Sequence, residues 1–261
     1  MNEVDKLIEL LSQKRELVAL LAPSFPIAYK YPEIIGRLKK LGFSYVLEVA
    51  AGAKITNSSL VNELKTNPDS RFITSPCPSF VRLIRTKYPH LQKYLSKADS
   101  PMVASVKIAK EKWPKAKSVF IGPCLAKKKE AEEDYPELDI LVLTYKEMDE
   151  VFKKLETNTQ PFPETGDFDI LGKETRLYPI SGGLAQTSLA RDILGSDEIQ
   201  VVSGWKNCVL AIENFEKDSS VRLLDILFCE GGCVNGPGID SLLTLEERRA
   251  KVINFWENRD L

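Results

Sequence analysis

Three short apolar runs in this chain end at a cysteine set in a proline- or glycine-marked turn, and that recurrence restricts the fold more than any bulk property. Phe72-Ile73-Thr74 leads to Ser75-Pro76-Cys77-Pro78, and Ser118-Val119-Phe120-Ile121 leads to Gly122-Pro123-Cys124. Residues 223–228 (Leu-Leu-Asp-Ile-Leu-Phe) lead to Cys229-Glu230-Gly231-Gly232-Cys233. Continuous rather than alternating apolar runs suit strands buried on both faces, as in a parallel sheet covered by helices. Ligands of such sheets gather outside the carboxyl ends of the strands. The pattern therefore predicts an α/β fold with its site at the strand ends.

Residues 17–22, 45–49, 138–143 and 200–202 predict further strands. Between the runs, apolar residues recur at helical spacing: Val4, Leu7, Ile8 and Leu11, then Ile34, Ile35, Leu38 and Leu41 before Gly42. Behind Cys77, Pro78 suits a first helical turn, and Phe80, Val81, Ile84 and Tyr88 supply its apolar face. Thr144-Tyr145-Lys146-Glu147 is a capping box ahead of Met148, Val151, Phe152 and Leu155. A second box, Thr244-Leu245-Glu246-Glu247, begins a charged final helix with Trp256 near its end. Residues 156–169, rich in Thr, Pro and Gly, predict a surface excursion. The expected organisation is one domain, residues 1–261, with a first lobe at about 13–116, a second at about 117–240 and a C-terminal helix at about 244–258. Each lobe is a mixed or parallel sheet flanked by helices, with a metal cluster between the two. In this division Cys77 ends one half-sheet, and Cys124 and Cys229 belong to the other.

A chain of 261 residues with 43% hydrophobic content can bury a sizeable core. Lys and Arg number 36 against 37 Asp and Glu, so no net field draws nucleic acid or an anionic membrane. No run reaches the roughly 18 apolar residues of a membrane span. The opening Met1-Asn2-Glu3-Val4-Asp5-Lys6 is too charged for a secretory signal. The reading is a cytoplasmic protein with no membrane span and no nucleic-acid partner. Five cysteines, an odd number, argue for reduced thiols rather than a disulfide framework.

Cys77, Cys124, Cys229 and Cys233 form a candidate metal-ligand set. Structural zinc accepts four thiolates but takes them in close-spaced knuckles, whereas here Cys77 and Cys124 stand alone and one close pair exists. A 4Fe-4S cubane is bulkier, takes four thiolates and fits scattered single cysteines better. The glycines of Cys229-Glu230-Gly231-Gly232-Cys233 let the backbone close around such a group. His90, the one histidine, reads as a solvated helix end; a Rieske-type centre and a Ser-His-Asp triad are excluded. Cys208, in an apolar helix start, reads as a buried inert thiol.

Three segments then carry a resemblance. Thr74-Ser75-Pro76-Cys77-Pro78, the stretch from Pro123-Cys124 through Lys127-Lys128-Lys129-Glu130-Ala131, and the stretch from Cys229 to Gly236 resemble, in order, the signature loops of di-iron (iron-only) hydrogenases, in the C-terminal domain of their large subunit. Ala22-Pro23-Ser24 and Ser181-Gly182-Gly183 also resemble family segments, so the similarity spans roughly residues 17 to 240. The resemblance implies an H-cluster: a 4Fe-4S cubane joined through one cysteine sulfur to a di-iron subcluster with carbon monoxide, cyanide and a bridging azadithiolate. By motif match, Cys77, Cys124, Cys229 and Cys233 would hold the cubane, and Cys233 would bridge to the di-iron unit. Lys127 would hydrogen-bond one cyanide and Ser24 the other, which puts Lys127, Ser24 and Cys233 in the catalytic set. Implied partners are H2 and protons, an electron-transfer protein or ferredoxin-like module, and the di-iron maturation proteins.

The chain departs from the family pattern at informative places. Pro76 stands where catalytic members carry a proton-relaying cysteine, and proline has neither a side-chain donor nor an N–H. Leu60 replaces a glutamate of the relay, while Ser96 and Glu63 remain. Two methionines expected around the di-iron unit read as Gly122 and Leu227, a tryptophan as Phe80 and a glutamine as Met102. These departures resemble the sensory branch of the family, which implies slow reversible H2 oxidation and a signalling partner. The alternative is a non-catalytic 4Fe-4S protein without the di-iron unit, such as an iron-sulfur assembly or redox-sensing factor.

Overall fold

The computed structural model describes residues 1–155 and 166–258. Its strands are β1 (Leu17–Leu21), β2 (Tyr45–Glu48), β3 (Phe72–Ile73), β4 (Lys117–Gly122), β5 (Leu141–Thr144), β6 (Ile199–Ser203) and β7 (Leu223–Leu227). They make two sheets, ordered β2-β1-β4-β5 and β3-β7-β6, and every pairing is parallel. Parallel neighbours need crossovers, and helices supply them: α2 (Glu33–Leu41) between β1 and β2, α9 (Trp205–Lys217) between β6 and β7. The chain is thus an α/β fold of two parallel sheets flanked by helices. Every residue of β1 and of β7 is buried, which is why both read as apolar runs.

Strand pairing does not follow the expected cut near residue 116. β1 and β2 pair with β4 and β5, while β3 leaves the first half of the chain to pair with β7. Cys77 and Cys229 therefore follow neighbouring strands of one sheet, and Cys124 follows β4 of the other, contrary to the expected grouping. The long helix α3 (Ala50–Thr66), 17 residues, carries the chain from the first sheet to the second. At about 1.5 Å per residue it spans roughly 25 Å. β3 is too short to fix its own register. Backbone bonds from Phe72 to Arg222 and from Thr74 to Leu224, at 2.7 and 3.0 Å, hold it against β7.

The helices expected from apolar spacing form: α1 (Glu3–Ser12), α2, α4 (Pro78–Lys87), α7 (Tyr145–Leu155) and α10 (Leu245–Glu257). Both capping boxes close, with Glu147 N donating to Thr144 Oγ1 at 3.2 Å and Glu247 N to Thr244 Oγ1 at 3.3 Å. The strand expected at 138–143 is shifted, because Pro136–Leu138 forms a 3-10 turn and β5 begins at Leu141. α3 and α5 (Pro101–Lys112) escape an apolar-stripe reading because runs of consecutive residues are buried near their starts, residues 50–53 and 102–106, and the buried face of α3 continues through polar Thr56 and Asn57. They cross at Gly52, where a Cβ would collide with the Pro101 carbonyl and Ser105. Of the expected excursion at 156–169, residues 156–165 lie outside the described residues. The remainder returns to the core: Phe168 is buried and Asp169 N donates to Val46 O at 2.8 Å.

A buried ion pair ties three parts of the chain together. Arg176 Nε donates to Glu48 Oε1 at 2.6 Å, and both side chains are 0% exposed. Glu48 Oε2 also accepts from Gly172 N at 2.8 Å, and Arg176 Nη1 donates to the Phe255 carbonyl at 3.2 Å. The end of β2, the 170–176 segment and α10 are thereby joined. Removing one partner strands a buried charge, so Arg176→Met is expected to cost about 3–5 kcal/mol in urea unfolding. Arg176→Met with Glu48→Gln is expected to recover much of that loss; an equal loss in the double variant would contradict the assignment.

On β7, the Asp225 carboxylate accepts from Ala185 N at 3.1 Å, at the start of α8 (Gly183–Thr187). Burial pushes its pKa up to about 6, against the opposing pull of that hydrogen bond and of Arg191. The folded value exceeds the ordinary 3.8, so the neutral acid favours the folded state below about pH 4, and that contribution is lost as pH rises through 6. Relative to the unsubstituted chain, Asp225→Asn should gain about 3 kcal/mol of stability between those limits, measured by urea unfolding across pH.

Candidate metal centre and adjoining chamber

Each candidate thiol sits where a strand gives way to a tight turn. Cys77 is the N-cap of α4, with Pro78 in the first turn and the N–H groups of Phe80 and Val81 on its carbonyl at 3.1 and 3.0 Å. Its sulfur faces the backbone N–H groups of Phe228, beyond β7, and of Phe80. Cys124 follows β4 and precedes the short helix α6 (Ala126–Lys129), whose Ala126 and Lys127 N–H groups point at its sulfur. Cys229 and Cys233 flank a turn in which Gly231 and Gly232 take φ of 72° and 105°, backbone that side chains rarely tolerate. A Cβ on Gly232 would meet the Pro179 carbonyl at 2.5 Å.

All four thiols are brought within electrostatic reach of one another. Burial pushes up the pKa of each; Cys77 then feels Cys124, Cys229 feels Cys77 and Cys124, and Cys233 feels all three. For Cys229 the value reaches about 12. Among the described residues no three His, Cys, Asp or Glu side chains close on a point that would hold a single metal ion. Thiols that interact with one another and receive backbone N–H groups have the chemistry that a thiolate-bound cluster requires of its ligands.

Beside them lies a chamber of about 70 Å³ of space open to the centre of a water molecule. Cys124, Cys233, Ser24 and Lys127 all line it, and Met102, Phe120 and Leu227 make much of the apolar remainder. Lys127 is 7% exposed and its ammonium donates to Glu130 Oε2 at 2.5 Å, Ser100 Oγ at 2.9 Å and the Pro76 carbonyl at 3.3 Å. Ser24 Oγ lies 2.8 Å from the Tyr145 hydroxyl. Cys77 and Cys229 are not among the residues that line the chamber. Cys208 is fully buried, its pKa pushed up to about 12 by burial, and its S–H lies 3.5 Å from the Leu227 carbonyl. His90 is exposed and paired with Glu216 at 2.5 Å.

The family model described as the iron only hydrogenase large subunit, C-terminal domain, matches residues 15–237. The chain belongs to that family. Iron hydrogenase 1 of Clostridium pasteurianum is 26% identical over 261 aligned residues, covering 79% of this chain and 45% of the relative. A probable cytosolic Fe-S cluster assembly factor, oxy-4 of Caenorhabditis elegans, is 25% identical and covers 82% of this chain and 59% of its own length. The chain thus spans about half the length of the curated relatives it matches. A solved variant of the FeFe-hydrogenase HydA1 from Chlamydomonas reinhardtii superposes with a TM-score of 0.74 at 19% identity, covering 97% of this chain and 88% of that one. That likeness is one of fold.

Within this member of the iron-only hydrogenase family, the positions singled out in the sequence take the following places. Gly122 leaves room for the Phe120 ring, which a Cβ there would meet at 2.6 Å. Leu227 and Met102 line the chamber directly, whereas Phe80 lies in the core beside Cys77. Leu60 is buried among apolar neighbours. Glu63 accepts from Lys97 N at 2.7 Å and Ser96 from Ala98 N at 3.2 Å, so both are engaged with backbone. Sequence reasoning passed over Glu130 and Ser100 as partners of Lys127; only the i,i+3 spacing of Lys127 and Glu130 hinted at the pair. Among the described residues no helix is long and apolar enough to cross a membrane. Gly232→Ala is expected to cost about 1–3 kcal/mol through backbone strain. Urea unfolding checks it; unchanged stability would mean that the turn has another accessible form.

Proposed function

We propose that this domain holds a 4Fe-4S cubane on Cys77, Cys124, Cys229 and Cys233, and in the adjoining chamber a di-iron unit with carbon monoxide, cyanide and azadithiolate. Its activity is slow interconversion of H2 with protons and electrons, in a sensory or regulatory setting. The observation that carries this reading is the chamber itself: one apolar space lined by two of the four thiols and by Ser24 and Lys127. When bound, the group supplies an open iron site and a basic amine. Cys233 would bridge the two metal units, and the Lys127 ammonium would meet an anionic ligand with a charge-assisted hydrogen bond. Of its three present bonds, the 3.3 Å contact to the Pro76 carbonyl is the longest and the easiest to redirect. The apolar walls would exclude water from the reacting atoms.

Pro76 and Leu60 account for the slowness. Neither holds a transferable proton, so transit to the interior must use water or another route. Each 1.36 kcal/mol added to the barrier costs about tenfold in rate. Five free cysteines suit a reducing compartment, which supports a cytoplasmic placement. An electron-transfer protein or ferredoxin-like module, the di-iron maturation proteins and a signalling partner complete the proposal.

A second reading, a non-catalytic 4Fe-4S protein, draws support from Lys127, whose three donors already have acceptors, and from the similarity to an assembly factor. Infrared spectra after anaerobic maturation with the di-iron assembly proteins separate the two. Carbon monoxide and cyanide stretches are expected under the first reading; a cubane without them favours the second. In matured protein, Pro76→Cys is expected to raise turnover at least tenfold, and an unchanged rate would remove proton relay as the limit.

A further inference from the structure

Tyr145 has no part in the reading above, although its hydroxyl sits against the chamber wall. It is the first residue of α7, directly after β5, and is fully buried. Its phenol donates to the Ala22 carbonyl at 3.0 Å and lies 2.8 Å from Ser24 Oγ. Its ring packs edge-on against Tyr29, with centroids 5.6 Å apart. The Tyr29 hydroxyl lies 3.0 Å from both the Tyr145 carbonyl and Asp149 Oδ1, and shares its one hydrogen between them.

A phenol has one hydrogen, and a carbonyl can only accept. With that hydrogen on the Ala22 carbonyl, the contact with Ser24 is a hydrogen bond only if Ser24 is the donor. Ser24 lines the chamber and is fully buried, so its hydroxyl has no solvent alternative. It therefore turns lone pairs, not its hydrogen, toward the interior. Burial, with a smaller contribution from the nearby Cys233 thiol, pushes the phenol pKa up, so Tyr145 stays neutral.

We propose that Tyr145 is a positioning residue that takes the hydroxyl hydrogen of Ser24 and so withholds a hydrogen-bond donor from that part of the chamber. This rests on the di-iron reading. It implies that an anionic ligand beside Ser24 lacks a side-chain donor there, whereas one beside Lys127 keeps its own. The chain would hold two chemically equal ligands in unequal surroundings.

The test is infrared spectroscopy of the matured protein, of Tyr145→Phe and of Ser24→Ala. Tyr145→Phe frees the Ser24 hydrogen, so one cyanide band is expected to move while the other keeps its position. Ser24→Ala removes lone pairs but no donor to a ligand, so its cyanide shift is expected to be smaller than that of Tyr145→Phe. A cyanide band that moves as far in Ser24→Ala as in Tyr145→Phe, or fails to move in folded Tyr145→Phe, overturns the proposal while leaving the di-iron reading intact. Absence of cyanide bands from the unsubstituted protein overturns that reading and this inference with it.

Discussion

Thiols resist ionisation in a buried, crowded setting, and this chain places four of them in one. The carboxyl ends of β3, β4 and β7 make that possible. They belong to two different sheets, yet their turns bring Cys77, Cys124, Cys229 and Cys233 close enough to raise one another's pKa. A thiolate-bound cluster would resolve the conflict, because metal coordination removes the protons and adds its positive charge to that of Lys127. Backbone N–H groups from Phe228, Phe80, Ala126 and Lys127 are already turned toward two of the sulfurs.

The frame around the site is held by polar contacts in an apolar core. Glu48 and Arg176 join β2 to the C-terminal helix, and Lys127 and Glu130 fix the loop after Cys124 against Ser100 and the Pro76 carbonyl. Buried pairs of this kind contribute little net stability over apolar substitutes, but they are costly to break singly. Lys127 thereby spans two of the cysteine loops.

Much of this was legible in the chain before any coordinates. Apolar runs marked the buried strands because parallel strands are covered on both faces, and the two capping boxes marked the starts of α7 and α10. The thiols could be named because proline and glycine turns set them apart from Cys208. What stayed hidden depended on contacts distant in sequence. β3 is two residues long, so nothing local says that it joins β7, and the expected lobes were divided at the wrong place for that reason. α3 and α5 carry no apolar stripe because consecutive residues are buried near their starts and polar Thr56 and Asn57 share the buried face of α3. Tyr145 read as a capping-box residue, since nothing in its neighbourhood indicates that its hydroxyl reaches Ser24 across 121 positions.

The central claim is that these four thiols, and not the fifth, hold one cubane. Anaerobic reconstitution with iron and sulfide, followed by Mössbauer spectroscopy and iron analysis, tests it directly on the unsubstituted chain and on single Cys→Ser variants. The account predicts one 4Fe-4S cluster per chain, impaired by substitution at Cys77, Cys124, Cys229 or Cys233 and unaffected at Cys208. A cluster that survives intact in all four of those variants, or that requires Cys208, would contradict it.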